Sequence, residues 1–276
     1  MTTSPADRAL LLHDLHRPGS PLVLPNAWDV ASARIVVACG AAAVATTSAG
    51  VAWSLGRPDG DVLDRESAVA AVDRIAGAVA VPVTADVEGG FGVDPAGVAE
   101  TVAGVLAAGA VGVNIEDSRP GADEPLRDVD DQCARLRAAR ETADAAGVRL
   151  FVNARVDTYL YAVGDPADRL DRTLRRAAAY RAAGADGIFV PGVADPETIG
   201  ALVAGIDAPV NVLAGPGSPP VDVLAGLGVA RVSLGANLAE AAYGLVQRAA
   251  REVLTRGSYD SLADPLSYRE LNALSA

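Results

Sequence analysis

Short apolar runs alternate with longer helical patterns along this chain, and that alternation restricts the fold more than any other feature of the sequence. Eight runs have the length and composition of buried strands: 22–25, 43–46, 81–85, 112–115, 149–153, 187–190, 210–213 and 231–234. Helical patterns lie between and after them, over 31–38, 65–78, 96–107, 129–145, 166–182, 196–203, 220–227 and 238–255. This order is typical of parallel strands joined by helices, and eight repeats fit a closed barrel better than an open sheet. The sequence therefore predicts an α/β protein with a (β/α)8 TIM barrel.

Glycines support this division of the chain. Gly40, Gly109, Gly184 and Gly228 each stand between the end of a helical pattern and the start of the next strand. Glycine is favoured there because the residue that closes a helix often takes a left-handed conformation. The spacing of these sites is irregular, which argues against a solenoid.

The length of 276 residues fits one large domain, and no Pro/Ser-rich linker divides it. We expect a single domain over 1–276, with a barrel core at about 22–245 and a helical extension over 246–276. The extension is longer than a barrel requires. We expect it to pack on a neighbouring subunit, and packing on its own barrel is the alternative.

Composition excludes several classes of function. The chain contains no lysine, and all 23 basic residues are arginine. A lysine Schiff base, pyridoxal phosphate chemistry and a P-loop are therefore excluded. The net charge of -12 argues against nucleic acid or an anionic membrane as a partner. A run of 18 apolar residues and a secretory signal are both absent, so we expect a cytoplasmic protein.

The few cysteines and histidines lie in helical patterns. Cys39 and Cys133 are expected to be small helix-packing residues rather than a disulfide or a catalytic thiol. His13 and His16, three residues apart in a first helix, are expected on a solvated face. Proton transfer would then be carried out by carboxylates, Tyr, Ser, Thr or bound water.

An acidic, glycine-rich segment follows the third strand. Asp86 and Glu88 come directly after the apolar run, and glycines at 89, 90 and 92 allow a sharp turn. Carboxylates at i and i+2 of a strand share one face, and such oxygen ligands suit Mg²⁺. A surface loop in which Asp86 caps the next helix is the alternative.

Other polar groups follow the remaining strands and should meet at the same rim of a barrel. They include the segment 46–50, Asp59 in the loop beyond it, Glu116, Arg155, Asn211 and Ser233. The backbone N–H groups at 46–50 are suited to a carboxylate, and Arg155 has the fork geometry that binds a carboxylate or phosphonate. A Mg²⁺ ion held by Asp86, with Glu88 and Glu116 contacting its waters, would bind a 2-oxo acid and stabilise an enolate.

These motifs resemble the isocitrate lyase / phosphoenolpyruvate mutase superfamily from about Leu22 to Leu245. The segments that carry the resemblance are 47–59, 85–92, 114–118 and 153–157. The resemblance implies a Mg²⁺-dependent barrel enzyme, with Mn²⁺ as an alternative ion. It also implies a homo-oligomer, usually a tetramer, with a C-terminal helix exchanged between subunits.

The resemblance also implies roles for individual residues. Asp86 resembles the direct metal ligand, and Asp59, Glu88 and Glu116 resemble the acidic groups around the metal and its waters. Thr47, Ser48 and Ala49 resemble the turn that binds the substrate carboxylate. Arg155 resembles the arginine that binds the substrate anion, and Asn211 is a further candidate contact for the substrate.

The loop 118–127 departs from the lyases of this superfamily. Those lyases carry a Lys-Lys/Arg-Cys-Gly-His segment whose Cys is the general acid, whereas this loop has no Cys, His or Lys. It also lacks the Asn used in phosphonate chemistry, but Gly121 still indicates a lid. We expect C–C cleavage or decarboxylation of a small 2-oxo acid or dicarboxylate. The alternatives are a phosphonopyruvate mutase or hydrolase and a 2-oxo acid-binding protein that has lost catalysis.

Overall fold

The computed structural model describes residues 4–275 and contains eight short parallel strands. They are β1 (Leu22–Leu24), β2 (Val44–Ala45), β3 (Val83–Asp86), β4 (Gly112–Glu116), β5 (Phe151–Arg155), β6 (Gly187–Val190), β7 (Val210–Leu213) and β8 (Arg231–Ser233). From β2 to β8 each strand pairs in parallel with the next along the chain, and β8 pairs with β1. An isolated parallel bridge, Ala27 with Thr46, joins the first two strands and completes the ring. The predicted (β/α)8 barrel is confirmed.

Helices surround this ring and begin in most cases with an acidic or hydroxyl N-cap. They are α1 (Pro5–Leu15), α2 (Val30–Ala38), α3 (Ser48–Ser54), α4 (Arg65–Gly77), α5 (Pro95–Ala107), α6 (Val129–Ala145), α7 (Arg169–Ala182), α8 (Pro196–Gly205), α9 (Val221–Gly226), α10 (Asn237–Arg256) and α11 (Tyr268–Ser275). No helix among the residues described is both long and apolar enough to cross a bilayer.

Helix α1 covers the N-terminal end of the barrel, and this corrects one prediction. Ala9 and Leu12 are fully buried there, and the His16 ring stacks on Phe151 at 3.8 Å between centroids. The solvated position expected for His16 is therefore wrong, since His16 is only 6% exposed. The pattern Ala9, Leu12, His16 places all three side chains on the same face of the helix.

The C-terminal extension packs on the barrel of its own chain. The Arg34 guanidinium on α2 donates to the Leu274 carbonyl of α11 at 3.1 Å. The expected boundary after residue 245 falls inside α10, which continues to Arg256. Exchange of a C-terminal helix between subunits stays a prediction.

The two cysteines occupy different environments. Cys133 is buried in α6 and packs as predicted, whereas Cys39 is exposed at the C-cap of α2. Neither forms a disulfide.

Candidate active site at the carboxyl ends of the strands

A cavity of about 240 Å³ opens where the strands end. Seven residues predicted for this rim line it: Thr47, Ser48, Ala49, Asp59, Asp86, Arg155 and Ser233. The other lining residues are Asn26, Asn114, Leu160, Phe189, Pro191, Leu213, Gly235 and Ala236. A larger cleft of about 410 Å³ lies at the opposite end of the barrel and has no acidic lining residue. The smaller cavity is therefore the candidate active site.

Asp86 is the last residue of β3, and one of its oxygens has no partner. Its backbone N–H donates to Thr46 Oγ1 at 2.8 Å, and its Oδ2 accepts from the Ser48 N–H at 3.2 Å. Its Oδ1 is buried, and no hydrogen-bond partner for it lies among the described residues. A buried carboxylate oxygen without a donor favours a cation or an ordered water.

Ser48 begins helix α3, a helix that was not among the predicted helical patterns. Residues Thr47, Ser48 and Ala49 lie at the N-terminus of this helix, where the first N–H groups lack intrahelical partners. This helix could not be predicted from the sequence, because its residues give no amphipathic pattern. Four consecutive residues are buried: Ala49, Gly50, Val51 and Ala52.

Glu88 does not share a strand face with Asp86, so that prediction is wrong. The strand ends at Asp86, and Glu88 has a positive φ of 50° that turns the chain away. Its Oε2 accepts the backbone N–H of Asp61. Burial raises the pKa of Glu88 to about 8, and the charges of Asp59, Asp61 and Asp86 act in the same direction. Asp86 nevertheless remains within electrostatic range of Glu88.

A buried arginine that sequence reasoning missed holds the glycine-rich turn. Arg135 on α6 is 1% exposed and donates to the carbonyls of Gly89, Gly92 and Val93. The turn that carries Glu88 is therefore fixed from outside the barrel.

Arg155 ends β5 and lies between two acids. Its Nη1 lies 2.5 Å from Glu116 Oε2, and its Nε donates to Asp157 Oδ1 at 2.7 Å. Burial lowers the pKa of Arg155, but the charges of Glu116, Asp157 and Asp86 outweigh it and raise the pKa. Arg155 is thus a fixed cation in the wall of the cavity.

Glu116 lies behind Arg155 and is not among the residues that line the cavity. Its Oε1 accepts the Ser118 hydroxyl. Burial raises the pKa of Glu116, and the Arg155 charge acts against that shift. Asp59 does line the cavity; burial and the Asp86 charge both raise its pKa.

Asn211 lies below the cavity rather than in its wall. Its Oδ1 accepts from the Ser233 hydroxyl at 3.2 Å, and its Nδ2 has no partner among the described residues. Direct contact between Asn211 and a substrate stays a prediction.

The donor set fits a hydrated hard cation. No three His, Cys, Asp or Glu side chains within residues 4–275 are placed to hold a metal together. Mg²⁺ commonly binds through one or two carboxylates and keeps several waters. The unpartnered Asp86 Oδ1, with Asp59 in the same cavity and Glu88 nearby, satisfies that requirement.

The loop 118–127, which the sequence predicts to be a lid and which we call the lid loop, is held at its base by hydrogen bonds. An antiparallel bridge joins Ser118 to Leu126, and the Arg127 N–H donates to the Asp117 carbonyl at 2.7 Å. The Arg127 guanidinium lies 4.0 Å from Asp61 in the loop that carries Asp59.

A family model for phosphoenolpyruvate phosphomutase matches residues 12–254. The chain belongs to this family. A Mycobacterium tuberculosis (strain H37Rv) protein of uncharacterized function is 42% identical over 205 residues, 74% of each chain. A candidate lyase/mutase from Burkholderia cenocepacia J2315 has a solved structure with a TM-score of 0.91 and 40% identity, covering 99% of this chain and 96% of the other. Oxaloacetate decarboxylase 2 of Pseudomonas fluorescens (strain Pf0-1) is 31% identical over 58% of this chain and 53% of its own length.

The relatives of the chain that have a named activity are enzymes: lyases, a mutase and hydrolases. A phosphonopyruvate hydrolase whose structure contains oxalate and Mg²⁺ shares the fold, with a TM-score of 0.83, 24% identity, and coverage of 97% of this chain and 94% of the other.

Proposed function

We propose that this protein is a Mg²⁺-dependent decarboxylase or C–C lyase that acts on a small 2-oxo dicarboxylate of the oxaloacetate type. The observation that carries the proposal is that one cavity of about 240 Å³ is lined by both Asp86, whose Oδ1 has no hydrogen-bond partner among the described residues, and Arg155. A hard cation and a carboxylate would occupy these two positions. The volume is below that of a typical drug-sized pocket, which favours a small substrate.

Asp86 would hold the ion directly, and Asp59 and Glu88 would contact its waters. Glu116, whose two oxygens are taken by Ser118 and Arg155, would act on the ion only through its charge. When bound, Mg²⁺ supplies Lewis-acid stabilisation for the negative charge that develops on the 2-oxo oxygen as the bond breaks. Mn²⁺ offers the same coordination chemistry.

Arg155 would bind a carboxylate of the substrate. The acids Glu116 and Asp157 hold its guanidinium in one orientation, so little rotamer entropy is lost on binding. At the start of α3 the Ala49 N–H would donate to the other end of the substrate, since the N–H groups of Thr47 and Ser48 already donate to the Ala27 carbonyl and to Asp86 Oδ2.

The lid loop favours decarboxylation over cleavage that needs a protein acid. In decarboxylation the electrons of the C–C bond pass toward the 2-oxo group, CO₂ leaves uncharged, and water protonates the carbon. A lid without Cys, His or Lys therefore suffices. The similarity to an oxaloacetate decarboxylase supports the same choice. A homo-oligomeric assembly and a cytoplasmic location remain further proposals.

The proposal is tested by calorimetric titration with oxaloacetate, pyruvate, 2-oxoglutarate and phosphonopyruvate, in Mg²⁺ and in EDTA, with product analysis of each mixture. We expect binding and CO₂ release from oxaloacetate only with the metal. Phosphate release from phosphonopyruvate would instead identify C–P chemistry. Metal-dependent binding of the whole panel without product would identify a binding protein.

Two variants test the residue roles. Asp86→Asn should abolish Mg²⁺ binding, and Arg155→Ala should weaken substrate binding while Mg²⁺ still binds. Asp207→Asn is the matched control, because Asp207 is exposed and lies near α8, away from the cavity. Retained Mg²⁺ affinity in Asp86→Asn would overturn the metal assignment.

A further inference from the structure

Arg231 is a fully buried arginine at the start of β8, directly below the cavity. Its Nε donates to the Ser233 hydroxyl at 3.1 Å, and its Nη2 donates to Asn114 Oδ1 at 3.3 Å. Ser233 and Asn114 both line the cavity, and we call them the cavity floor. One side chain layer thus separates the guanidinium from any ligand in the cavity.

The positive charge of Arg231 has no matching acid in contact. Within the described residues no carboxylate forms an ion pair with it, and Asp86 is the acid that acts on it electrostatically. Burial lowers the pKa of Arg231 to about 9, so the guanidinium is charged at pH 7. His16, the base beneath it, is neutral at that pH. A buried unpaired charge is costly unless an opposite charge approaches it.

Two donors beside the cavity floor are also unused. Arg231 Nη1 and Asn211 Nδ2 are buried without partners among the described residues, and these two residues are paired in register on β8 and β7. By contrast, the charge of Arg155 is already matched by Glu116 and Asp157. Arg231 is therefore the arginine beside the cavity whose charge no acid contacts among the described residues.

We infer that Arg231 is a specificity-determining residue: its charge, acting through the cavity floor, makes the cavity select a ligand with two negative charges over one of the same shape with a single charge. This inference rests on the proposed function, since it takes the cavity to be an anion site. Electrostatic attraction is strong here because the guanidinium is shielded from water. Arg231 does not touch the ligand, so it acts by charge and by positioning Asn114 and Ser233.

The test compares oxalate with oxamate by calorimetric titration in the presence of Mg²⁺. Oxalate is a planar dianion, and oxamate has the same shape but replaces one carboxylate with a neutral amide. The variants are Arg231→Met, which removes the charge but keeps the volume, and Arg231→Lys, which keeps the charge. Arg140→Met is the matched control, because Arg140 is a mostly buried arginine on α6 that pairs with Asp186 outside the cavity.

We expect Arg231→Met to lose about tenfold or more in oxalate affinity and much less in oxamate affinity, so the preference for oxalate falls. Arg231→Lys should recover most of that preference, and Arg140→Met should leave it unchanged. A purely structural role for Arg231 would lower both affinities equally. A folded Arg231→Met protein that keeps the wild-type ratio of oxalate affinity to oxamate affinity overturns the inference while leaving the proposed function intact.

If Arg231→Met does not fold, Arg231→Gln replaces it in the same comparison, because the neutral amide removes the charge but keeps a hydrogen-bond donor. A lower preference for oxalate than in the wild type supports the inference, and an unchanged preference overturns it. If wild-type protein binds neither anion, with or without Mg²⁺, the inference and the proposed function both fail.

Discussion

The Nη1 atom of Arg155 lies 2.5 Å from Oε2 of Glu116, and both residues are the last of their strands in register. The pairing fixes the guanidinium at the rim of the barrel, and Asp157 holds its Nε from the other side. Asp157 is itself fixed, since its backbone N–H donates to Asp117 Oδ1 at 2.9 Å. A row of buried acids thus orients the cation that faces the cavity.

Asp157→Ala should weaken oxalate binding about tenfold, because Arg155 loses the acceptor of its Nε. Asp157→Asn should keep most of the affinity, since the amide oxygen still accepts that hydrogen bond. Mg²⁺ binding should change little in either variant. Calorimetric titration measures all three quantities, and equal oxalate affinities in the Ala and Asn variants would contradict the positioning role.

Arg135→Met should destabilise the protein by about 3 kcal/mol, because three carbonyls of the glycine-rich turn, that of Gly89 buried, lose their donor. Arg137→Met is the control, since Arg137 lies two residues away on the same helix and is exposed. Its effect should stay within about 0.5 kcal/mol. Urea unfolding monitored by circular dichroism gives both values, and equal losses would contradict the role of Arg135.

The fold could be predicted because apolar residues recur at different spacings in strands and in helices, and because a helix follows the strand in each repeat. The strand positions agree closely, but β3, β4 and β5 extend beyond the expected ends. Their last residues, Asp86, Glu116 and Arg155, are polar and give no hydrophobic signal. The sequence therefore placed these three residues at strand ends but could not show that they still belong to the strands.

Charged residues inside the protein were the main features that sequence reasoning missed. Arg231 stands inside the apolar run Val229–Ser233, and Arg135 stands inside an amphipathic helix with other arginines around it. A lone arginine within a buried strand is itself a signal that it performs a role in the interior. Arg135 carries no such signal, because its carbonyl partners lie 42 to 46 residues earlier in the chain.

The backbone conformation of Glu88 could not be predicted from the alternation of side chains along a strand. The expectation of a shared face with Asp86 assumes that the strand continues, whereas the positive φ at Glu88 ends it. Gly89 and Gly90 directly afterwards were the available signal for that turn.

His16 should make the protein less stable as the pH falls. Burial, followed by the Arg231 charge, lowers the pKa of His16 to about 3 in the folded protein, against about 6.5 when unfolded. Between these values the unfolded chain binds the extra proton, so the free energy of unfolding decreases as the pH falls from 6.5 toward 3. The contribution of this one group to that loss is about 2 kcal/mol at pH 5.

The measurement for His16 is urea unfolding of the wild type and His16→Gln at pH 7 and pH 5. Asp117 and Asp157 have raised pKa values and act with the opposite sign, so the informative quantity is the difference between the two proteins. We expect a smaller loss on acidification in His16→Gln. An identical loss in both proteins would show that His16 is already protonated in the folded state.

Gly50 in the first turn of α3 should not tolerate a side chain. A Cβ at Gly50 would lie 2.8 Å from Thr47 Cγ2 and 2.8 Å from Trp28 Cβ, so Gly50→Ala forces α3 away from its neighbours. We expect a loss of about 1–3 kcal/mol in the free energy of unfolding, typical of an overpacked core. Because Thr47, Ser48 and Ala49 line the cavity, oxalate affinity should fall as well.

Gly77→Ala is the matched control for Gly50→Ala: Gly77 is also helical, and a Cβ there would meet nothing within 4 Å. That change should be neutral or slightly stabilising, because alanine favours the helix over glycine. Thermal unfolding with and without oxalate separates the two effects. A Gly50→Ala protein as stable as Gly77→Ala would contradict the packing of α3, whereas a destabilised one with wild-type oxalate affinity would show that the ligand does not use the α3 N-terminus.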